Sequence, residues 1–155
     1  MSDDAAADRV RELLEHISEA LALEATVAIE QDGRTILATL EGDDLGLFIG
    51  RHGQTIDAVQ HLAFKAATRD QPPSAGVRVV VDAAGYRERR ELALHRQADE
   101  AAADAVRSRR PVALDAMSAT ERKVVHEYLK DRGDVETYSE GTEPDRHLVV
   151  APLEQ

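Results

Sequence analysis

The chain has no cysteine and no tryptophan, and only five aromatic residues among 155: Phe48, Phe64, Tyr86, Tyr128 and Tyr138. Without cysteine, disulfides, thiolate nucleophiles and sulfur-ligated metals are excluded. With so few rings, a core has to be assembled from Ala, Val, Leu and Ile, and an apolar content of 43 % is enough for one. No apolar run approaches the ~18 residues of a membrane span, so no membrane insertion is expected. The start, Met1-Ser2-Asp3-Asp4-Ala5, has neither the basic nor the apolar stretch of an export signal. The expected location is the cytoplasm, and the length fits one domain or two small ones.

Positive charge is also scarce. The net charge of −11 argues against a general nucleic-acid sponge. The imbalance is uneven: residues 1–49 carry −9, residues 50–110 carry +3 and residues 111–155 carry −5. Phosphate binding in the middle is therefore open, though weaker and more dependent on local geometry than on a uniformly basic protein.

What is present is organised around residues 45–59. Leu45, Phe48 and Ile49 have the spacing of one short helix face, and Ile56, Val59 and Ala63 start a second helical pattern. Between them lies Gly50-Arg51-His52-Gly53. Two glycines three apart allow a tight turn, because glycine takes positive φ cheaply and has no Cβ to block close approach. Such a turn leaves free backbone N–H groups at the start of the second helix, which suits a phosphate. Arg51 adds charge at the tip and His52 a ring that can donate a hydrogen bond. The order helix, G-x-x-G, helix is the layout of the KH loop, which clamps about four nucleotides by their backbone. The loop alone also fits an ordinary helix–turn–helix connection.

Before this stretch, Val10, Leu13, Leu14, Ile17 and Leu21 give an amphipathic helix over residues 5–22, with Asp3 or Asp4 serving its N-terminal end. Residues 26–31 and 35–40 alternate around Asp32-Gly33, a hairpin signal. Asp43 and Asp44 offer an N-cap to the short helix and read better as a cap than as a metal pair. After the breaker Gln71-Pro72-Pro73-Ser74, residues 77–82 form a third strand, expected to be central. A long helix of about 84–109 follows, with most of its arginines on a solvated face partly paired with Glu and Asp, and Pro111 ends it. Val112-Ala113-Leu114 is a candidate short strand. Ser118-Ala119-Thr120-Glu121 has the form of a capping box, so a helix starts near 119, and Gly133 stops it. Residues 135–139 and 147–151 are two more strands, with Gly141 and Pro144 in the turn between them.

Arg122 and His126 are four apart on that helix and share one face. Both fall at the edge of the apolar stripe, half-buried with polar ends reaching out. Around them stand Pro111, Thr137-Tyr138-Ser139-Glu140-Gly141, Arg146 and a Leu-Val-Val-Ala-Pro ending. This pattern, over about residues 86–152, resembles the R-three-H domain, named for its Arg-x-x-x-His pair. With it, the helix–strand–strand–helix–helix–strand order of the first part resembles a type II KH domain. The pairing of the two resembles the bacterial Jag family, also called KhpB or SpoIIIJ-associated.

The expected fold is α+β: a KH domain over residues 1–84 and an R-three-H domain over 85–155, each around a small sheet. Longer family members carry an extra N-terminal domain and linker, for which this chain has no room. The resemblance implies a single-stranded RNA-binding protein without catalysis or cofactor, an RNA chaperone or post-transcriptional regulator, with single-stranded DNA as a competing ligand. The expected contacts are Gly50, Arg51, His52 and Gly53, with Ile49 and Ile56 forming a groove for bases. By resemblance, Arg122, His126, Ser139, Gly141 and Arg146 make a second surface. With so few rings, base stacking adds little, and affinity should be modest and salt-sensitive. The alternative is a protein-interaction adaptor that forms a heterodimer with a small KH-only partner, with the acidic N-terminal helix and hairpin as the protein-facing side. A nuclease using His126 is disfavoured, because no second histidine or carboxylate stands at a spacing that would orient it. The other histidines have no metal-ligand spacing with it, and no small-molecule substrate is implied.

Overall fold

In the computed structural model, which describes residues 2–154, the first apolar pattern becomes one face of one helix. α1 (Ser2–Ala20) buries Ala6, Val10 and Leu14, with Leu13 and Ile17 packed beside them. The Asp3 side chain, expected at its N-terminal end, lies outside the described residues, while Asp4 is exposed in the first turn. β1 (Ala25–Asp32) and β2 (Thr35–Gly42) pair antiparallel and close at Asp32 opposite Thr35. The hairpin turn is therefore Gly33-Arg34, one residue later than Asp32-Gly33. This puts glycine, with φ of 56°, at the first turn position, where positive φ is needed.

α2 (Gly46–Ile49) follows, with Leu45 at its N-cap and no side-chain cap. The cap expected from Asp43 or Asp44 is not made, and Asp44 itself has φ of 52° in the connecting turn. A 3-10 turn (Arg51–Gly53) leads into α3 (Gln54–Ala67). Phe48, Ile56, Val59, Ala63 and Ala67 join the α1 residues and Ile36, Ala38 and Leu40 of β2 in one core. Full burial of a side chain such as Phe48 contributes about 1.5–3 kcal/mol. Arg9 of α1 donates to the Ala66 and Ala67 carbonyls at 2.8 and 3.0 Å, satisfying the last turn of α3.

β3 (Arg78–Ala83) lies parallel to β2, on the side away from β1. It is an edge strand, and β2 is central, contrary to the expectation from the apolar run at 77–82. The hairpin already fixes β1 on one side of β2. A strand that returns through a helical crossover pairs on the free side. Val79, Val81 and Ala83 face the core, while Val80 points away, half-buried.

The chain divides into two compact units, Met1–Arg87 and Glu88–Gln155. α4 (Tyr86–Ser108) opens at the end of the first, where the Asp82 carboxylate accepts from the Ala83 and Arg87 amides at 2.8 and 3.2 Å. In the second unit, α4 buries Leu94, Ala98, Ala101, Ala102 and Ala105. This face of small residues packs on Val125 and Leu129 of α5 (Ala119–Leu129) and on a second sheet. That sheet has β6 (His147–Pro152) between β4 (Val112–Ala113) and β5 (Val135–Glu140), antiparallel to both. Leu148 and Val150 of β6 complete this core.

Ser118 caps α5, accepting from the Glu121 amide at 3.3 Å. The other half of the expected box is diverted: the Glu121 carboxylate takes both Nε and Nη2 of Arg90, at 2.7 and 3.2 Å. α5 ends at Leu129, with the Arg132 amide closing onto its carbonyl at 3.0 Å. Gly133 does not adopt positive φ, so it is not the left-handed stop that its type suggested.

Candidate nucleic-acid interface

In the first unit the turn after α2 is shaped by three successive constraints. The Gly50 amide closes α2 on the Gly46 carbonyl at 2.8 Å, and the Gly53 amide meets the Gly50 carbonyl at 3.3 Å. Gly50, His52 and Gly53 have φ of 74°, 54° and 77°. A left-handed conformation costs a residue with a side chain about 1–2 kcal/mol, so His52 at the tip is held there by its neighbours. Arg51 and His52 are both exposed. Gly53 is the N-cap of α3 and no side chain caps that helix. The Gln54 amide is taken by the Arg51 carbonyl, so an anion at this end would meet the amides that follow it.

The two glycines serve their own fold before any ligand. A Cβ on Gly50 would lie 2.2 Å from Thr55 Oγ1 and 2.9 Å from the Thr55 amide nitrogen. One on Gly53, a buried position, would lie 2.7 Å from Tyr86 Oη and 2.8 Å from its Cε1. Ile49 is half-buried against the core. Ile56 is 0 % exposed and encloses no groove, because its place on α3 faces the sheet rather than the surface.

A groove runs along α3 from Asp57 to Phe64. A cavity of about 490 Å³ is lined by Asp57, Gln60, His61 and Phe64 on one side and by residues 77–80 on the other, with Arg87 at the rim. The α3 residues stand at i, i+3, i+4 and i+7, a spacing visible in the sequence but hidden by their mixed polarity. Phe64 is 38 % exposed, whereas Phe48 is fully enclosed. Arg87, expected on a solvated face, is instead a clamp. It donates Nε to the Val81 carbonyl at 2.7 Å, Nη1 to Asp57 at 3.0 Å and Nη2 to Gln60 at 3.0 Å. Gln60 Oε1 also accepts from the Val81 amide at 3.0 Å. The outward backbone groups of β3 at Val81 are thereby occupied, and α3 is tied to the strand.

In the second unit, α5 and β5 enclose a groove of about 370 Å³ that gathers Arg122, Lys123, His126, Thr137, Ser139 and Arg146, with Tyr138 and Leu148 along it. Arg122 and His126 do share this site, but not in the expected half-buried state. Arg122 is buried: Nη1 donates to the Met117 carbonyl at 2.7 Å and Nη2 to Glu143 at 2.9 Å. His126 is exposed and its Nδ1 is hydrogen-bonded to the Thr137 hydroxyl. Arg146 donates to the Gly141 carbonyl at 2.7 Å, and Gly141 has φ of 88°. Gly141 therefore shapes the turn that carries Arg146 and is not among the residues lining the groove. Lys123 and Tyr138 were not anticipated. Lys123 was legible in principle as the neighbour of Arg122, whereas strand alternation sets Tyr138 on the face opposite Thr137 and Ser139 and gave no signal for it.

Elsewhere on α5, a hydrogen bond from Lys130 holds the Glu127 carboxyl below the usual carboxylate range and raises the Lys130 ammonium. Tyr128 stacks on His95 with centroids 4.0 Å apart, and its hydrogen bond to Asp99 pushes the phenol up. Among the described residues no three His, Asp or Glu gather to hold a metal ion, and no helix is long and apolar enough to cross a membrane.

Two family matches divide the chain in the same way. Residues 7–81 match the family described as KhpA/KhpB, KH domain, and residues 92–152 match the R-three-H domain. Among curated proteins, the chain is similar to the RNA-binding protein KhpB of Clostridium symbiosum, 33 % identical over 146 residues, covering 93 % of this chain and 65 % of that protein. It is 39 % identical over 131 residues to the protein of that name from Lactiplantibacillus plantarum, covering 83 % of this chain and 40 % of the relative. The Bacillus subtilis protein is 31 % identical over 140 residues, covering 89 % and 66 %. The chain thus spans between two fifths and two thirds of the length of these relatives.

Proposed function

We propose, from the premise that this chain belongs to the KhpB family of KH and R-three-H proteins, that it binds single-stranded RNA without acting on it chemically. The observation that carries the reading is the α3 N-terminus. The helix lacks a side-chain cap, Arg51 and His52 stand exposed beside its start, and the groove with Phe64 is lined from Asp57 onward along the same helix. A phosphate at the turn would accept from the helix amides and pair with Arg51. The strand would continue along α3, with bases against Phe64, Val77 and Val80. A second length would lie in the α5–β5 groove against Lys123, His126 and Arg146. His126 has a threonine hydroxyl as partner rather than a carboxylate, which supports a contact role over a general base.

Each phosphate neutralised on a single strand contributes about −0.7 to the slope of log K against log salt. Three cations, Arg51, Lys123 and Arg146, would give a slope of about −2. The test is fluorescence anisotropy of a labelled single-stranded RNA with Arg51→Asp/His52→Asp chain. Affinity should fall at least tenfold with thermal stability unchanged. Wild-type affinity in that variant would remove the turn from the interface.

A further inference from the structure

The outward edge of Arg122 is already occupied by the protein itself. Its side chain is 9 % exposed, fixed on one side by the Met117 carbonyl and on the other by Glu143 at 2.9 Å. Glu143 is 60 % exposed and belongs to the β5–β6 turn. That turn is pinned nearby by Asp145 to Thr142 at 2.9 Å, Met117 to Arg146 at 3.3 Å and Arg146 to Gly141 at 2.7 Å. The arginine therefore cannot swing out to a ligand, whereas the glutamate side chain can leave for solvent. A carboxylate and a phosphodiester present similar pairs of oxygens to a guanidinium. Lys123, His126 and Arg146 line the same groove and mark where such a phosphodiester would run.

We propose that Glu143 is an intramolecular competitor for the phosphate at Arg122, lowering the groove's affinity for nucleic acid. This rests on the reading of the groove as a phosphate site. In the closed state the Arg122 charge is neutralised from within. A strand reaches it only by displacing the carboxylate, which then remains close by as a repelling charge. Arg122 consequently adds little to counterion release in the natural chain.

The test uses the full chain and a fluorescein-labelled twelve-nucleotide oligouridylate, titrated across a KCl series. Glu143→Gln should raise affinity about two- to fivefold and steepen the salt slope by about 0.7, one additional phosphate. Glu143→Asp keeps the charge but shortens the reach, and should move affinity in the same direction. Glu140→Gln removes the same charge from the same hairpin, where it faces His147 at 3.6 Å, and should leave the slope unchanged. Lys123→Ala tests the groove separately. If Lys123→Ala weakens binding while Glu143→Gln matches Glu140→Gln in slope and affinity, the groove binds RNA and the competitor role is wrong. Weaker binding by Glu143→Gln, with its melting temperature unchanged, also overturns it. If Lys123→Ala has no effect either, the groove reading fails and takes the proposal with it.

Discussion

Gly53→Ala should damage the first unit through Tyr86, and the cost can be worked from two sources. The φ of 77° places the new side chain in the left-handed region, which costs about 1–2 kcal/mol. The Cβ would also stand 2.7 and 2.8 Å from the Tyr86 phenol, closer than real Cβ contacts, so the ring must shift. Overpacking of this kind costs about 1–3 kcal/mol. The expected total is about 2–5 kcal/mol, a large share of the stability of a small unit. In a Tyr86→Ala background only the backbone part should remain, giving a coupling of about 1–3 kcal/mol in the double-mutant cycle. Gly46→Ala is the control: it lies in α2 with nothing within 4 Å of an added Cβ, and should stabilise by about 0.5–1 kcal/mol. Hydrogen exchange at the Ile36, Ala38 and Leu40 amides of central β2 reads the first unit by itself. An equal cost of Gly53→Ala with and without Tyr86 would refute the argument. Lost RNA binding in Gly53→Ala would accordingly speak of folding before it spoke of phosphate.

Three more outcomes follow from the same contacts. Glu121→Gln breaks a two-pronged pair whose members are only 13 % and 19 % exposed. It should cost about 1.5–3 kcal/mol in urea unfolding, against less than about 0.5 kcal/mol for exposed Glu136→Gln. Asp134→Asn tests pH dependence: the hydrogen bonds from Arg132, both at 2.9 Å, hold the Asp134 carboxyl below its ordinary range. A carboxyl with a lowered folded pKa adds stability above its unfolded pKa and loses it as pH falls through the folded one. The variant should therefore melt below wild type at neutral pH and converge with it in acid; a gap constant with pH would contradict this. Phe64→Ala should lower RNA affinity by about 1–3 kcal/mol with little change in melting temperature, measured by anisotropy and calorimetry.

Periodicity made most of the fold legible. The apolar positions of α1, α3 and α5 and the alternation of β2 and β5 follow the sequence pattern, because each element has one buried face. Competition between partners was not legible. Glu121 reads as half of a capping box, yet Arg90, distant in sequence, offers its carboxylate a two-pronged charged partner that a backbone amide cannot match. Arg87 reads as a surface charge, but three acceptors on two elements converge on it. Strand order was lost in a similar way: four apolar residues suit a central strand, and only the hairpin's prior claim on β2 sends β3 to the edge. For the interface, the turn residues stood out by type and spacing. The groove beside them did not, since Asp57, Gln60, His61 and Phe64 share a helix face without sharing a polarity.

In the proposed complex, the glycine turn with its adjoining helix start and the α5–β5 groove both contact an unpaired strand. Titrating unlabelled single-stranded RNA into the 15N-labelled full chain at low ionic strength tests it directly. Saturable amide shifts are expected at residues 51–55, and at Lys123, His126, Thr137 and Ser139. A spectrum unchanged at both places would contradict the account.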